Sequence, residues 1–163
     1  MVIMVLMQFQ INLMSTLKKE LYNACVEFVK KREETVNQII VSNQKALTSE
    51  TKSSAGDKHE TGRAMLQLEM EKASQQLEGI YQMKSILAKI KLEDTSELVK
   101  LGSLISTNLA TYFLAISTGQ ITISNKNYYA ISPSSPIGKM LLGKKVDDEF
   151  VFNDKTVIIQ EVN

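Results

Sequence analysis

Two carboxylates three residues apart, Asp57 and Glu60, flank the chain's only histidine, His59, in the polar stretch Glu50-Thr51-Lys52-Ser53-Ser54-Ala55-Gly56-Asp57-Lys58-His59-Glu60-Thr61-Gly62-Arg63. Residues at this spacing share one face of a helix, so both carboxylates can address one cation. A hard ion such as Mg²⁺ suits them. It takes oxygen ligands, keeps several waters, and needs only one or two protein carboxylates when other ligands come from elsewhere. The same pair also serves plainer purposes, solvating a loop or favouring the dipole of a helix that starts beside it. The local charge favours the plainer reading. Glu50, Asp57 and Glu60 are set against Lys52, Lys58 and Arg63, whereas a tip built to recruit a cation is expected to carry excess negative charge.

The remaining reactive side chains do not assemble into a site. Cys25 and His59 are separated by about a whole helical arm, which rules out a Cys–His dyad and disfavours acyl transfer. A single cysteine excludes an internal disulfide and a cysteine-based zinc centre. Cys25 lies on or beside an apolar stripe and reads as packing. Ser53 and Ser54 have no base, and His59 reads as an exposed loop residue. Lys139, Lys144 and Lys145 form a basic group that either is solvated or touches an acidic partner surface.

Two long helices must position the carboxylates. From Ser15 to about Thr48 there is no proline or glycine, and Leu17, Leu21, Ala24, Phe28, Val36, Ile39, Ile40 and Leu47 recur in steps near three and four. Lys18, Lys19, Lys30, Lys31, Glu33 and Glu34 fall between them, the pattern of an amphipathic helix. Ser15 or Thr16 is placed to cap its start. From Arg63 to about Lys91 the stripe Met65, Leu68, Ala73, Leu77, Ile80, Leu87 and Ile90 repeats the pattern with coiled-coil spacing. Each stripe needs an apolar partner, so the economical arrangement is an antiparallel hairpin over 15–92 with its tip at about 49–63. Arms of this length extend on the order of 40–50 Å. The apolar run Met1 to Leu13 has no basic flank or cleavage site and is too short to span a bilayer, so residues 1–14 read as an extension upstream of the domain.

At Lys91-Leu92-Glu93-Asp94-Thr95-Ser96 the period changes from about 3.6 to 2. Strands are expected at Val99–Ser106, with Gly102 a weak point, and at 111–116, 120–124 and 127–131. The chain ends in a hairpin of 149–152 and 156–160 about an Asn153-Asp154 turn. Between them Ser135 is a natural N-cap and Pro136 a natural first helical residue. Ile137, Met140 and Leu141 make an apolar face, and Gly143 can end the helix in the left-handed region. The fold class is α+β: a two-helix coiled coil followed by a small antiparallel sheet, residues 93–163, carrying one short helix.

The run Ser135-Pro136-Ile137-Gly138-Lys139-Met140-Leu141-Leu142-Gly143-Lys144-Lys145, followed by Asp148 and the terminal hairpin, resembles the C-terminal domain of GreA/GreB-type transcription elongation factors. That family joins an antiparallel coiled coil to an FKBP-like domain, so the likeness covers about Ser15 to Asn163. The family has Gly-Asp where this chain has Asp147-Asp148, a departure expected to alter a turn rather than the fold. The match is closer to a divergent branch than to the standard factors.

The resemblance implies a cytoplasmic accessory factor of bacterial RNA polymerase, not an enzyme in its own right. In the family the hairpin enters the polymerase secondary channel. Its Asp-x-x-Glu pair, matched here by Asp57 and Glu60, helps hold a second Mg²⁺ in the polymerase active site and stimulates cleavage of backtracked RNA. The protein would have no cofactor of its own, contact RNA only through the polymerase, and bind neither membrane nor DNA directly. Net charge of +1 agrees with the last point. Other readings are an inhibitory, non-cleaving channel binder, or a coiled-coil adaptor with Met65, Met70 and Met83 as an adaptable surface. A prolyl isomerase rests on fold analogy alone, since no residue run marks the concave aromatic pocket it would need.

Overall fold

The structure, a computed structural model, describes the backbone of residues 2–50 and 57–163 and the side chains of residues 3–49 and 60–163. Helices α1 (Val2–Glu50) and α2 (Asp57–Ala88) are followed by β1 (Leu104–Thr107), β2 (Thr111–Leu114), β3 (Gly119–Ile123) and β4 (Lys126–Ile131). Helix α3 (Pro136–Leu141), β5 (Glu149–Phe152) and β6 (Lys155–Val162) complete the chain. The fold is α+β, with the two long helices packed against each other. The chain divides into two compact units, one of residues 1–27 with 85–163 and the other Phe28–Lys84.

Within Phe28–Lys84, Val29, Val36 and Asn43 of α1 and Ala73 and Ile80 of α2 are the buried positions, with Leu77 half-buried. On α2 the seam runs through Leu66, Met70, Ala73, Leu77 and Ile80, in the alternating four-three steps of a coiled coil. Met65 and Leu68, assigned to the stripe from sequence, are 58% and 46% exposed. The reason is phase: moving the seam to Leu66 and Met70 keeps the heptad in step with Ala73 and Ile80, and Met65 and Leu68 then turn outward. Ile39 is likewise exposed at 38%, while Ile40 is half-buried.

The start of α1 also differs from the sequence expectation. The helix runs from Val2, so Ser15 and Thr16 are not caps. Thr16 Oγ1 donates instead to the Asn12 carbonyl at 2.9 Å, the back-bond of a threonine inside a helix. Ile3 through Met7, with Phe9, Ile11 and Leu13, are exposed along this stretch. Among the described residues no helix is long and apolar enough to cross a membrane.

The other unit is built on a six-stranded sheet of order β3-β4-β2-β1-β6-β5. All neighbours are antiparallel except β2 and β4, which pair in parallel as Tyr112↔Tyr129 and Leu114↔Ile131. The sheet is therefore mixed, where antiparallel pairing alone was expected. On one face Ile105, Leu114 and Ile159 pack with Val99 and with Ile137 and Leu141 of α3, flanked by Tyr112, Ile131, Phe150 and Phe152. The register places Leu104, Phe113, Tyr128 and Ala130 on the opposite face, and all four are buried. A cavity on that side is walled by Leu13 and Leu17 of α1 together with Leu104 and Tyr128. Leu21 and Cys25 of α1 are wholly buried in the same unit, as is Leu87 near the end of α2.

Local chemistry accounts for the connections. The β3–β4 and β5–β6 turns place both central residues at positive φ, Ser124 and Asn125 in one and Asn153 and Asp154 in the other. Such turns match the right-handed twist of the strands they join. Gly102, at φ 88°, forms a turn ahead of β1 and does not lie within a strand. Strand β1 accordingly starts at Leu104, later than the Val99 expected from sequence. Asp147 takes φ 70°, so it adopts the left-handed conformation that glycine meets more cheaply.

Candidate functional site

Asp57 is the first residue of α2, and Glu60 follows three residues on, also helical. Glu60 is exposed. The side chains of Asp57, Lys58 and His59 lie outside the described residues, as does the stretch 51–56. The position does explain why both carboxylates occur there. The first turn of a helix leaves backbone N–H groups unpaired and carries the positive end of the helix dipole, which favours acidic residues. Among the described residues no three His, Cys, Asp or Glu side chains come together to hold a metal. Two carboxylates at i and i+3 fit an ion only where further ligands come from another molecule.

The two helices below this end hold their register through packing and one ion pair. Lys84 Nζ lies 2.7 Å from Glu33. Farther along, in the unit that carries the sheet, the Tyr22 hydroxyl donates to the Leu87 carbonyl at 3.4 Å.

Lys139, Lys144 and Lys145 lie on α3 and the turn after it. Their backbone roles are structural. Val99 N–H donates to the Lys144 carbonyl at 2.7 Å, and Lys145 N–H donates to Asp148 Oδ2 at 2.9 Å. Lys139 and Lys145 are exposed and Lys144 is half-buried; among the described residues none of the three forms an ion pair. The helix that carries Lys139 starts as its sequence requires. Ser135 Oγ accepts from Gly138 N–H at 3.1 Å and donates to the Ser132 carbonyl at 2.6 Å. Gly138 packs directly over that carbonyl, so an added Cβ would fall on the Ser132 oxygen.

Cys25 is fully buried, and its thiol is pushed up to about 11 by burial, opposed by a hydrogen bond with the Ile116 backbone. It is a packing residue, as its position on the stripe indicated. Lys18 corrects the sequence reading, which placed it on the wet side of α1: it is only 4% exposed. Its ammonium is held below the ordinary lysine range, first by burial and then by Lys100, with Asp94 and Glu93 acting in the opposite sense.

Sequence reasoning missed an aromatic hollow on the α3 side of the sheet. A cavity of about 390 Å³ is lined by Tyr112, Tyr129, Ile131, Phe152, Asn153 and Val157, among others. The Tyr112 and Tyr129 ring centroids are 6.2 Å apart, and the Tyr112 hydroxyl is raised above the usual phenol range by burial first and by Tyr129 second. Tyr112 and Tyr129 lie on the same face of the sheet, on strands that β3 separates in sequence. Only the parallel β2–β4 pairing brings them side by side. No protein-family model matches the chain, and no curated protein matches it in sequence.

Proposed function

We propose that the protein is an accessory factor of bacterial RNA polymerase. The hairpin is inserted into the secondary channel, and Asp57 and Glu60 assist cleavage of backtracked RNA. The observation that carries the reading is an acidic pair at i and i+3 opening the second helix of a long two-helix coiled coil, with Glu60 exposed. Helix α2 has 32 residues, a rise of about 48 Å, which suits a probe for a deep channel. Support also comes from the six-stranded sheet with its Ser135-capped helix, in the chain order that the resemblance to GreA/GreB-type factors implies. On this reading the sheet unit, FKBP-like in the family, docks at the channel mouth, and Lys139, Lys144 and Lys145 contact acidic polymerase surface.

Catalysis stays with the polymerase. A Mg²⁺ ion shared with that active site would supply charge neutralisation and an activated water. This chain would contribute two carboxylate ligands from a helix start, the end of a helix that favours acidic residues. The test is RNA cleavage in stalled, backtracked polymerase complexes, comparing the protein with Asp57→Ala and Glu60→Ala. Stimulation lost in both variants, with polymerase binding retained, is the expected result. Absence of polymerase binding removes the reading.

One observation favours a second reading, a channel binder that regulates without cleaving. Lys52, Lys58 and Arg63 balance Glu50, Asp57 and Glu60, so this end of the hairpin is close to neutral. Binding without stimulated cleavage in the same assay would establish that alternative.

A further inference from the structure

We infer that the end of the helical hairpin leading into residues 51–56 opens and closes as a cooperative unit of its own, with Asn43 as its boundary. The inference rests on how burial changes along Phe28–Lys84. On one side of the boundary the seam is dry: Val29, Val36, Ala73 and Ile80 are 2%, 4%, 2% and 1% exposed. The Glu33–Lys84 ion pair lies on this side. On the other side no side chain of residues 44–49 or 60–72 is buried. Ala46, Leu47, Leu66 and Met70 are half-buried, and Met65 and Leu68 face solvent.

Between the two regions stands Asn43, only 7% exposed, with an Nδ2 that finds no hydrogen-bond partner among the described residues. An amide buried without a partner forfeits its hydration and gains nothing in return, at the position where an aliphatic side chain would contribute most. Gly62, inside α2, adds to the effect, since glycine is among the least favourable residues in a helix interior. Helical segments of this length are marginal without tertiary packing. Among the described residues, the segment beyond Asn43 and Ala73 thus buries little apolar surface, while the segment behind them has a continuous core. Local opening free energy follows buried apolar contact, so the two should separate in stability at Asn43. The local opening does not rest on the polymerase reading.

The test is hydrogen exchange followed by mass spectrometry on the free full-length chain. Amides of residues 44–49 and 60–72 should exchange at least about tenfold faster than those of residues 29–42 and 74–84, with a step at Asn43. Asn43→Leu should slow the faster group by about tenfold, the scale of one desolvated amide, and leave the slower group unchanged. Asn43→Asp, which buries a charge at the same position, should speed it. A gradual rise in exchange toward residues 51–56 that Asn43→Leu does not alter would mean simple end fraying and overturn the inference. One common rate on both sides of Asn43 would overturn it too. Since no polymerase is present, failure here is distinct from failure of the cleavage assay.

Discussion

Lys84 Nζ approaches both carboxylate oxygens of Glu33 to 2.7 Å, joining residues 51 apart in sequence across the two long helices. The pair sets register more than it adds stability. The Lys84 side chain is 46% exposed and that of Glu33 24%, and partly solvated pairs contribute roughly 0.2–1 kcal/mol. Lys84→Met should therefore lower unfolding free energy by less than about 1 kcal/mol, and the difference should shrink as salt is raised. Urea denaturation of both proteins at low and high salt checks this. A loss above about 3 kcal/mol would mean that the pair behaves as a buried one.

Gly138 offers a sharper stability test. It lies in α3 with its Cα over the Ser132 carbonyl, and the contact involves backbone rather than a flexible side chain. Gly138→Ala would gain helix propensity in an open setting, but here the methyl must displace the Ser132–Ser135 loop. That displacement breaks the Ser135 cap and the Ser135–Ser132 hydrogen bond together. Loss of a cap costs about 1 kcal/mol and overpacking about 1–3 kcal/mol more. The expected outcome is a marked fall in thermal midpoint for Gly138→Ala, against a small change for Gly79→Ala, where nothing lies within 4 Å.

These two cases show what the sequence made legible. Ser135, Pro136 and Gly143 announced α3 because caps and left-handed terminators are local chemistry, and the Asn153-Asp154 turn did the same for β5 and β6. The α2 seam was legible from Ala73 through Leu77 to Ile80, but its earlier turns were not, because Met65 and Leu68 are as apolar as Leu66 and Met70. Only the partner helix decides which pair faces inward. Lys18 and Asn43 are both polar and both buried; Asn43 falls a heptad step after Val36, where the apolar stripe of α1 weakens, but only packing shows that either side chain is inside. The Tyr112–Tyr129 hollow depends on a parallel pairing between strands that are not consecutive, information absent from any single segment. The carboxylate pair was visible as spacing and as lying near a helix start, but the helix was expected from Arg63 and begins at Asp57, which puts the pair inside its first turn.

Cys25 carries a pH dependence with a definite sign. Burial raises its folded pKa from 9.0 to about 11, so the folded state keeps its proton where the unfolded chain releases it. Stability from this group is fully present below pH about 9 and is lost as pH rises toward about 11. At about 1.4 kcal/mol per pKa unit, the loss amounts to roughly 2–3 kcal/mol across that window. Cys25→Ala removes the titration and leaves a small cavity, so its stability deficit relative to the unmodified protein should narrow between pH 9 and pH 11. Urea unfolding at several pH values measures the narrowing. In the native protein the thiol should also resist alkylating reagents at pH 8 and become reactive on unfolding, because burial blocks both the thiolate and the approach.

The carboxylate pair gives the prediction with the most functional weight, and its charge surroundings make it quantitative. If Asp57 and Glu60 act as ligands in the polymerase active site, losing either carboxylate removes an electrostatic stabiliser of the reacting centre. Such losses cost on the order of 10²–10³ in rate. Asp57→Asn and Glu60→Gln should then abolish stimulated cleavage at saturating protein while leaving polymerase affinity within a few-fold, because each substitution is isosteric. Lys58 sits between the two carboxylates in sequence and offsets their charge. Lys58→Ala should therefore increase cleavage stimulation at limiting Mg²⁺, with the gain fading as Mg²⁺ is raised or as salt screens the site. A solvated loop with no catalytic part predicts none of this pattern, since both isosteric amides and the lysine change would leave cleavage untouched. A non-cleaving regulator predicts a different signature, in which the same substitutions change inhibition of nucleotide addition without any RNA being cut.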